Sequence, residues 1–547
     1  MNVLVRNALF AVIGILVYLS PLVTRLQAGV QRDDQLSNSE IKNIIIMIPD
    51  GTSLAGLTLA RWYGACDAET GIIDTKKALA LDELVSGLVR TYWSNGQIIG
   101  AITDSAPAAA AFACGIKTKA GYIGMTADSV PVANLLEASR LIGKSTGIVA
   151  TCNVQHATPA NFSAHINNRG RYDIIGEQQA NTGIDVVLGG GFKFLEEPYR
   201  KDGKNILEEI KALGYKYITT SAEMKSASSG KLWGMFAPDS MAYEIDRVEL
   251  APSEPSLAEM TAKAIDLLSE NEKGFFLMVE GSKPDWMAHA NEPVGLISEI
   301  LAFDSAVAVA LDYAKASQNT MLLIMSDHGT GGISIGNTGT RGSYANDPVE
   351  KFIAPLKRAK LSGTGIVSKF NADRTNIVDV MKQFFGIEDL TEAEIDKISN
   401  APVESMQNTV GPIISKRANI GWTTTGHTGE DVILFSYLPK NGRVNGVIDN
   451  TDIAMMCAKA WGIDLGAVTR DLFNPAEVAF KEVGARVEID NSLPTGAKMT
   501  VSKGADVLVI FENKNYVLLN NEKVVVDSIA IHQDGVFYVS KRVIGLL

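Results

Sequence analysis

The sequence predicts an α/β fold: a mostly parallel central sheet flanked by helices, with an inserted region and a small C-terminal β module. Three observations carry that reading. Four apolar runs, "NIIIMIPDG" (43–51), "STGIVATCN" (145–153), "GFFLMVEGS" (274–282) and "TMLLIMSDHG" (320–329), each end in polar residues. Near-continuous Ile, Val, Leu and Met suits strands covered on both faces. Helical patterns lie between them, among them "SLAEMTAKAIDLLSENE" (256–272) and "ISEILAFDSAVAVALDYAKAS" (297–317). Strands alternating with helices imply crossover connections and parallel pairing. After Pro475 the pattern changes to β-branched and aromatic residues alternating with polar ones, punctuated by Asn-Asn and Asp-Gly turn signals.

At the N-terminus, Arg6 precedes an apolar run from Ala8 to Leu19 and a Ser-Pro break. The run is short for a membrane span and suits a signal-peptide core. Residues 1–28 are therefore expected to be a signal peptide cleaved near Ala28, or an uncleaved N-terminal anchor. The protein is expected to be exported, to a periplasmic, cell-surface or extracellular place. A net charge of −12 argues against a nucleic acid as a specific partner. Four cysteines, Cys66, Cys114, Cys152 and Cys457, allow three full disulfide pairings after export. Cys114 and Cys152 sit among apolar or small residues, where buried free thiols are the alternative.

Ligands of open α/β sheets bind beyond the carboxyl ends of the strands. Asp50, Glu280, Asp327 and His328 fall there. The first of these stands on a turn, "IPDG", which alone means only a turn. Between the first two strands, "TDSAPAAAAFACG" (103–115) puts one serine, Ser105, at the head of an alanine run. A helix starting there offers its free N–H groups and positive dipole end to an anion. Pro107 is tolerated in the first turn, and the small residues let the helix sit close to the sheet. His156 opens "HATPANFSAHINNR", and Arg169 at the end of that stretch has a planar fork that matches two phosphate oxygens, although a surface salt bridge is its ordinary use.

In "EGSKPDWMAH", Pro284 suits the first turn of a helix that puts Asp285 and His289 on one face. A carboxylate and an imidazole at that spacing can grip one metal ion, or simply bond to each other. "MSDHG" offers Asp327 and His328 at a strand end. From Gly329 to Trp422 the chain is long and mixed, and reads as an insertion with some helix between core elements. "TTTGHTGED" then presents His427 in a polar loop. Three Asp/Glu and two or three histidines at strand ends exceed one metal and suit two or three.

These motifs, in this order, resemble the alkaline phosphatase family of metal-dependent phosphomonoesterases, from about Asn43 to Asp464. The resemblance implies a catalytic domain over 41–470, with 329–422 as an extended insertion region. It implies hydrolysis of phosphate monoesters, with Ser105 as the phosphorylated nucleophile and Arg169 clamping the phosphate. It further implies two Zn²⁺, one held by Asp285, His289 and His427 and one by Asp50, Asp327 and His328 with Ser105. A Mg²⁺ would lie between Asp50, Thr158 and Glu280, with His156 where the most studied enterobacterial form has an aspartate. Trp286 stands where that form has a lysine. Members are commonly homodimers, and the long insertion resembles bacterial forms whose large loop clasps a partner subunit.

Residues 476–547, the small C-terminal β domain, lie outside the resemblance. They are faintly similar to stalk domains of secreted bacterial proteins, which would imply cell-surface attachment, and His532 there reads as structural. Two relatives of the same fold are weaker fits. A sulfatase would carry an arginine where Ala109 stands, and a phosphodiesterase would gain from an open apolar pocket in place of Arg169. A surface-binding protein without activity has no physical reason to retain Ser105 and a full ligand set. A zinc protease is excluded by the absence of H-E-x-x-H.

Overall fold

The computed structural model describes residues 41–67, 69–340, 344–493 and 496–547. The N-terminal segment expected to direct export lies outside the described residues. Ten strands form the central sheet: β1 (Asn43–Pro49), β2 (Val85–Arg90), β3 (Ser145–Asn153), β4 (Val186–Gly190), β5 (Lys216–Ile218), β6 (Leu232–Met235), β7 (Phe275–Gly281), β8 (Thr320–Met325), β9 (Val432–Tyr437) and β10 (Gly446–Asp449). Their spatial order is β10-β2-β9-β8-β1-β7-β3-β4-β6-β5. All neighbours are parallel except the two pairs made by β9, which runs against β8 and β2. The four apolar runs of the sequence are the adjacent strands β8-β1-β7-β3 at the centre.

Successive side chains of a strand point to opposite faces, and here both faces are covered, which is why the runs are continuously apolar. Five helices matter for the site: α1 (Ser105–Cys114), α2 (Leu257–Leu268), α3 (Pro284–His289), α4 (Pro293–Ser317) and α5 (Thr451–Ala460). Ile45, Met47, Leu277 and Leu322 face one core with α2 and α4, while Ile44, Ile46, Met278 and Leu323 face the other with α1 and α5. Each fully buried Leu, Ile or Phe contributes about 1.5–3 kcal/mol. Ser256 and Glu259 form a capping box that starts α2. Pro293 opens α4, and Glu292 caps it by accepting from the Val294 and Gly295 N–H groups. By length and composition α4 would cross a membrane, but Ile300, Phe303, Val307 and Ala310 are fully buried in the sheet-facing core. Gly281 makes room for it, because a Cβ there would lie 2.8 Å from the Phe303 ring.

The helices within the region expected to be an insertion fold onto the α4 side. Those over Val349–Lys357, Ile377–Phe385, Glu392–Asn400 and Met406–Arg417 send Ile353, Phe385, Met406 and Val410 into the same core. Arg417 donates to both carboxylate oxygens of Glu394, at 3.0 and 2.9 Å, and Thr391 caps the same helix start. The paired Arg417 holds the Glu394 carboxyl down at about 2, from 4.5. A depressed carboxyl stabilises the fold above its unfolded value and loses that contribution as pH falls toward the folded one. Amide protection factors in the Glu392–Asn400 helix, corrected for intrinsic exchange, are therefore expected to fall between pH 4.5 and about 2. Glu394→Gln should remove that step; an unchanged profile in the variant would show that the pair does not hold the insertion.

All four cysteines are buried free thiols, so no disulfide pairing is realised. Beyond β10, five antiparallel strands form a meander: β11 (Arg486–Asp490), β12 (Lys498–Lys503), β13 (Asp506–Phe511), β14 (Tyr516–Leu519) and β15 (Glu522–Val525). Asn520 and Asn521 take the positive φ that the tight β14–β15 turn requires, as Asp534 and Gly535 do between Ile531–Gln533 and Val536–Val539. Residues 476–543 have a core of their own, including Phe480, Met499, Val501, Ile510 and Phe537. His532 stacks on Phe537 at 4.5 Å between ring centroids and faces Glu512 at 3.8 Å.

Candidate metal centre

The strand ends deliver the acidic residues to one place. Asp50 is the first residue past β1, Glu280 is near the end of β7, and Asp327 and His328 follow β8. Register sets Glu280 between Ile48 of β1 and Ala150 of β3. Asp285 and His289 are one turn apart in α3. His427 arrives from a short antiparallel pairing in which it lies opposite Thr330. Ser105 is the first residue of α1, and its N-cap, Asp104, makes no side-chain bond to the helix.

Asp285, His289 and His427 form the first group. His289 Nε2 lies 3.3 Å from Asp285 Oδ2 and 3.1 Å from His427 Nε2, which is 3.7 Å from Asp285 Oδ1. The other ring nitrogens face backbone carbonyls: His289 Nδ1 that of Thr425, and His427 Nδ1 that of Thr103 at 2.8 Å. A carbonyl only accepts, so each Nδ1 carries a proton; a bound cation would take the Nε2 lone pairs, and without one the Asp285 carboxylate favours a second proton on His289. Two lone pairs and a carboxylate aimed at one point call for a cation.

His328 centres the second group. Its Nε2 lies 3.2 Å from Asp327 Oδ2, 3.3 Å from Ser105 Oγ and 3.7 Å from Asp50 Oδ1. Thr330 donates its hydroxyl to Asp285 Oδ1 at 2.6 Å, so it is the acceptor toward His328 Nδ1 at 3.3 Å. That again leaves the Nε2 lone pair facing the carboxylates. Ligand atoms of Asp50, Asp285 and His328 also fall within 4.8 Å of one another, so Asp285 stands between the two groups. The ring of His328 stacks on that of His427 at 3.6 Å.

Cys152, His156 and Glu280 make a third group. The thiol lies 3.5 Å from Glu280 Oε2. Thr158, in the short helix Ala157–Asn161, has a buried hydroxyl without a partner, and Asp50 Oδ1, Glu280 Oε1, Asp327 Oδ2 and His156 Nδ1 are in the same condition. Arg169 turns its fork toward Asp104 through Nη1 and toward His156 Nε2, 3.1 Å from Nη2. The sequence offers Cys152 only as a core thiol or disulfide partner and singles out neither Thr330 nor Asp104 for the site. Cys152 sits in an apolar run where a thiol passes for core, and only the neighbouring β7 reveals its partner. Beside His156 a cavity of about 870 Å³ opens, walled by Tyr172, Trp286 and Tyr243, and by Thr364 and Val403 of the insertion.

Burial raises these groups' resistance to charge. It pushes the Glu280 carboxyl up to about 7 against Ser282, and raises Asp50 well above the usual carboxylate range, with Asp327, Asp285 and Glu280 adding repulsion. Burial also lifts the Cys152 thiol, and with Arg169 lowers His156 to about 4. Asp285 is the exception: His289, His328 and Thr330 outweigh burial and hold it below its ordinary range. The lysine between Glu280 and Asp285, Lys283, turns away to the carbonyls of Met241 and Ala242. Unpartnered buried carboxylate oxygens are costly. Oxygen and imidazole donors in this number fit divalent cations.

Gly51 guards this geometry. Its φ is +64°, and a Cβ would lie 2.6 Å from Asp285 Oδ1 and 2.7 Å from Asp285 Cα. Gly51→Ala is expected to add backbone strain of about 1–2 kcal/mol and to displace Asp285. Displacements near 1 Å at a catalytic centre lower rates by up to about 100-fold, so kcat/KM and metal affinity should fall together. Unchanged metal affinity in titrations of the variant would show that the loop yields instead.

Residues 41–463 match the model of the alkaline phosphatase family. Alkaline phosphatase 3 of Bacillus subtilis (strain 168) is 35% identical over 446 residues, covering 79% of this chain and 92% of that protein. Among solved structures, the alkaline phosphatase of Thermus thermophilus is 28% identical with a TM-score of 0.71, over 78% of this chain and 93% of that one. A mutant alkaline phosphatase from the Antarctic bacterium TAB5, with a histidine replaced by aspartate and Mg bound in its M3 site, is 26% identical with a TM-score of 0.55, over 78% and 99% of the two chains. The matched span holds the central sheet and all three side-chain groups. The chain therefore belongs to the alkaline phosphatase family, and its activity is that of a phosphomonoesterase.

Proposed function

We propose that the chain hydrolyses phosphate monoesters by two displacements through a phosphoserine on Ser105. Two Zn²⁺ and one Mg²⁺ complete the site: one zinc on Asp285, His289 and His427, one on Asp50, Asp327 and His328, and magnesium near Asp50, Thr158 and Glu280. The observation that carries this reading is the Ser105 hydroxyl, 3.3 Å from a lone-pair nitrogen of His328 and at the start of α1. The unpartnered oxygens of Asp50, Thr158, Glu280 and Asp327 support the ligand sets. Bound cations would lower the serine pKa and neutralise charge on the phosphoryl oxygens.

Ser105 Oγ forms the new bond to phosphorus as the ester oxygen departs and is protonated to the alcohol. Water then attacks the phosphoserine, releasing inorganic phosphate and returning the proton to Ser105. Arg169 leaves Asp104 to bind two non-bridging oxygens with its fork. The alcohol portion occupies the cavity beside Trp286 and Tyr172. A TAB5 mutant in which aspartate replaces a histidine holds Mg in its M3 site, and here His156 would bear on which cation the third position takes. Export through the N-terminal segment, a homodimer and surface attachment through residues 476–547 belong to the same proposal.

The test is brief reaction with a radiolabelled monoester, an acid quench and peptide mapping. Label on the peptide carrying Ser105 is expected. Rapid turnover with no labelled protein would mean direct attack by water.

A further inference from the structure

We infer that the C-terminal β module positions Arg169, by bracing the loop that carries it. The inference rests on the proposal that Arg169 binds phosphate. The loop over residues 165–169 is held on its inner side by the body. Arg169 N–H donates to the Gly121 carbonyl at 2.8 Å, and Gly121 N–H donates to Asp104 Oδ2 at 3.1 Å. The His165 ring is held by Glu137 and the Gly124 carbonyl, at 2.9 and 2.8 Å.

Its outer side is held by the module. Asn167, two residues before Arg169, donates to the module in two directions: its N–H to Gln533 Oε1 at 3.4 Å, and its side-chain amide to the Asp534 carboxylate at 3.3 and 3.2 Å. At His165 the Gln178 side chain takes the backbone N–H and gives to the backbone carbonyl, at 2.7 and 3.1 Å. The same Gln178 amide donates to Asn513 Oδ1 of the module at 3.0 Å, in a buried contact. Asn513 and Asp534 both stand at positive φ, 62° and 51°, so each turn is shaped to present its side chain.

The docking that aims these turns is built, not incidental. Ile529, Ile531 and Tyr538 of the module pack with Met125, Ala133, Leu472 and Phe473 of the body, and Phe473 also meets the edge of the His165 ring at 4.7 Å. Lys514, next to Asn513, pairs with Glu177 at 2.9 Å and Glu209 at 2.7 Å. Glu177 is 1% exposed and also pairs with Lys204 at 2.6 Å. A buried ion pair of that kind adds little net stability but penalises any other register strongly. A module that served only as a tether would need neither the seam nor the pair. Together they fix where Gln533, Asp534 and Asn513 meet the Arg169 loop, and so how far the guanidinium can wander.

The test uses the full-length enzyme. The triple variant Asn513→Gly, Gln533→Ala, Asp534→Gly removes the three module contacts and keeps both positive-φ turns comfortable. KM for a phosphate monoester and the inhibition constant of inorganic phosphate are expected to rise about threefold to tenfold, the scale of lost hydrogen bonds, with kcat changed less than about twofold. Asp534→Asn, which still accepts from Asn167, should match the parent enzyme. Val501→Ala, in the module's own core away from the loop, should lower Tm and leave both constants alone. Unchanged constants in an active triple variant overturn the brace. Equal shifts in Val501→Ala also overturn it, because general loosening would then suffice. A parent protein that neither hydrolyses monoesters nor responds to phosphate overturns the role given to Arg169, and the brace falls with it.

Discussion

Ser105→Ala is expected to lower kcat for a phosphate monoester by about 10⁴-fold or more, the scale seen when a nucleophile is removed. The change deletes one oxygen from the first turn of α1. Ser105 is 3% exposed, and its side-chain partner is His328 Nε2. Alanine is the best helix former, and the turn is already built of Ala106, Pro107 and Ala108, so the helix itself should not suffer. Asp104 is left in place with its bonds to Gly121 and Arg169. The fold and metal content should therefore match the parent protein, by circular dichroism and elemental analysis. KM for the substrate should change far less than kcat, since on the proposed reading Arg169 and the cations would still bind phosphate. A variant that keeps a tenth of the parent rate would assign the nucleophile elsewhere and leave Ser105 as a first-turn residue only.

Removing the metals is expected to abolish activity and to lower Tm by several degrees at once. The reason lies in the three groups of side chains. Asp50, Glu280, Asp285 and Asp327 are all buried, and the first two already resist ionisation. Without cations they repel one another across short distances, or take up protons and give up their ligand geometry. A ligand present at 100 times its dissociation constant contributes about 2.7 kcal/mol to the folded state, and three groups of side chains could each add such a term. Calorimetry of chelated and reconstituted protein reads the shift, and a chromogenic monoester at alkaline pH reads the activity. Return of both with Zn²⁺ and Mg²⁺ is the expected outcome. Full activity after exhaustive chelation, with metal absent by elemental analysis, would refute the metal ligand sets as catalytic.

Several parts of this architecture were legible in the chain because they are local. The runs at β1, β3, β7 and β8 read as doubly covered strands from their composition, and each delivers its polar end to the same edge of the sheet. Pro284, Asp285 and His289 form a helix turn whose spacing alone puts a carboxylate beside an imidazole. The Asn-Asn and Asp-Gly turns of the C-terminal module are equally local, since positive φ selects those residues. Strand β9 was not among the runs read as strands, and it is the one member that reverses direction within the sheet.

What the sequence determined by itself, then, was the α/β alternation, the four central strands and the start of α1 at Ser105. Tertiary structure decided how the candidate metal ligands combine. His427 joins His289 from 138 residues away, and the protons on both rings are assigned by carbonyls of Thr103 and Thr425. Cys152 meets Glu280 only because β3 lies beside β7, and Arg169 finds Asp104 and His156 only through the packing of its loop. Periodicity records which way a side chain points from its own element. It holds no record of what lies opposite, and at this site nearly every ligand has its partner on another element.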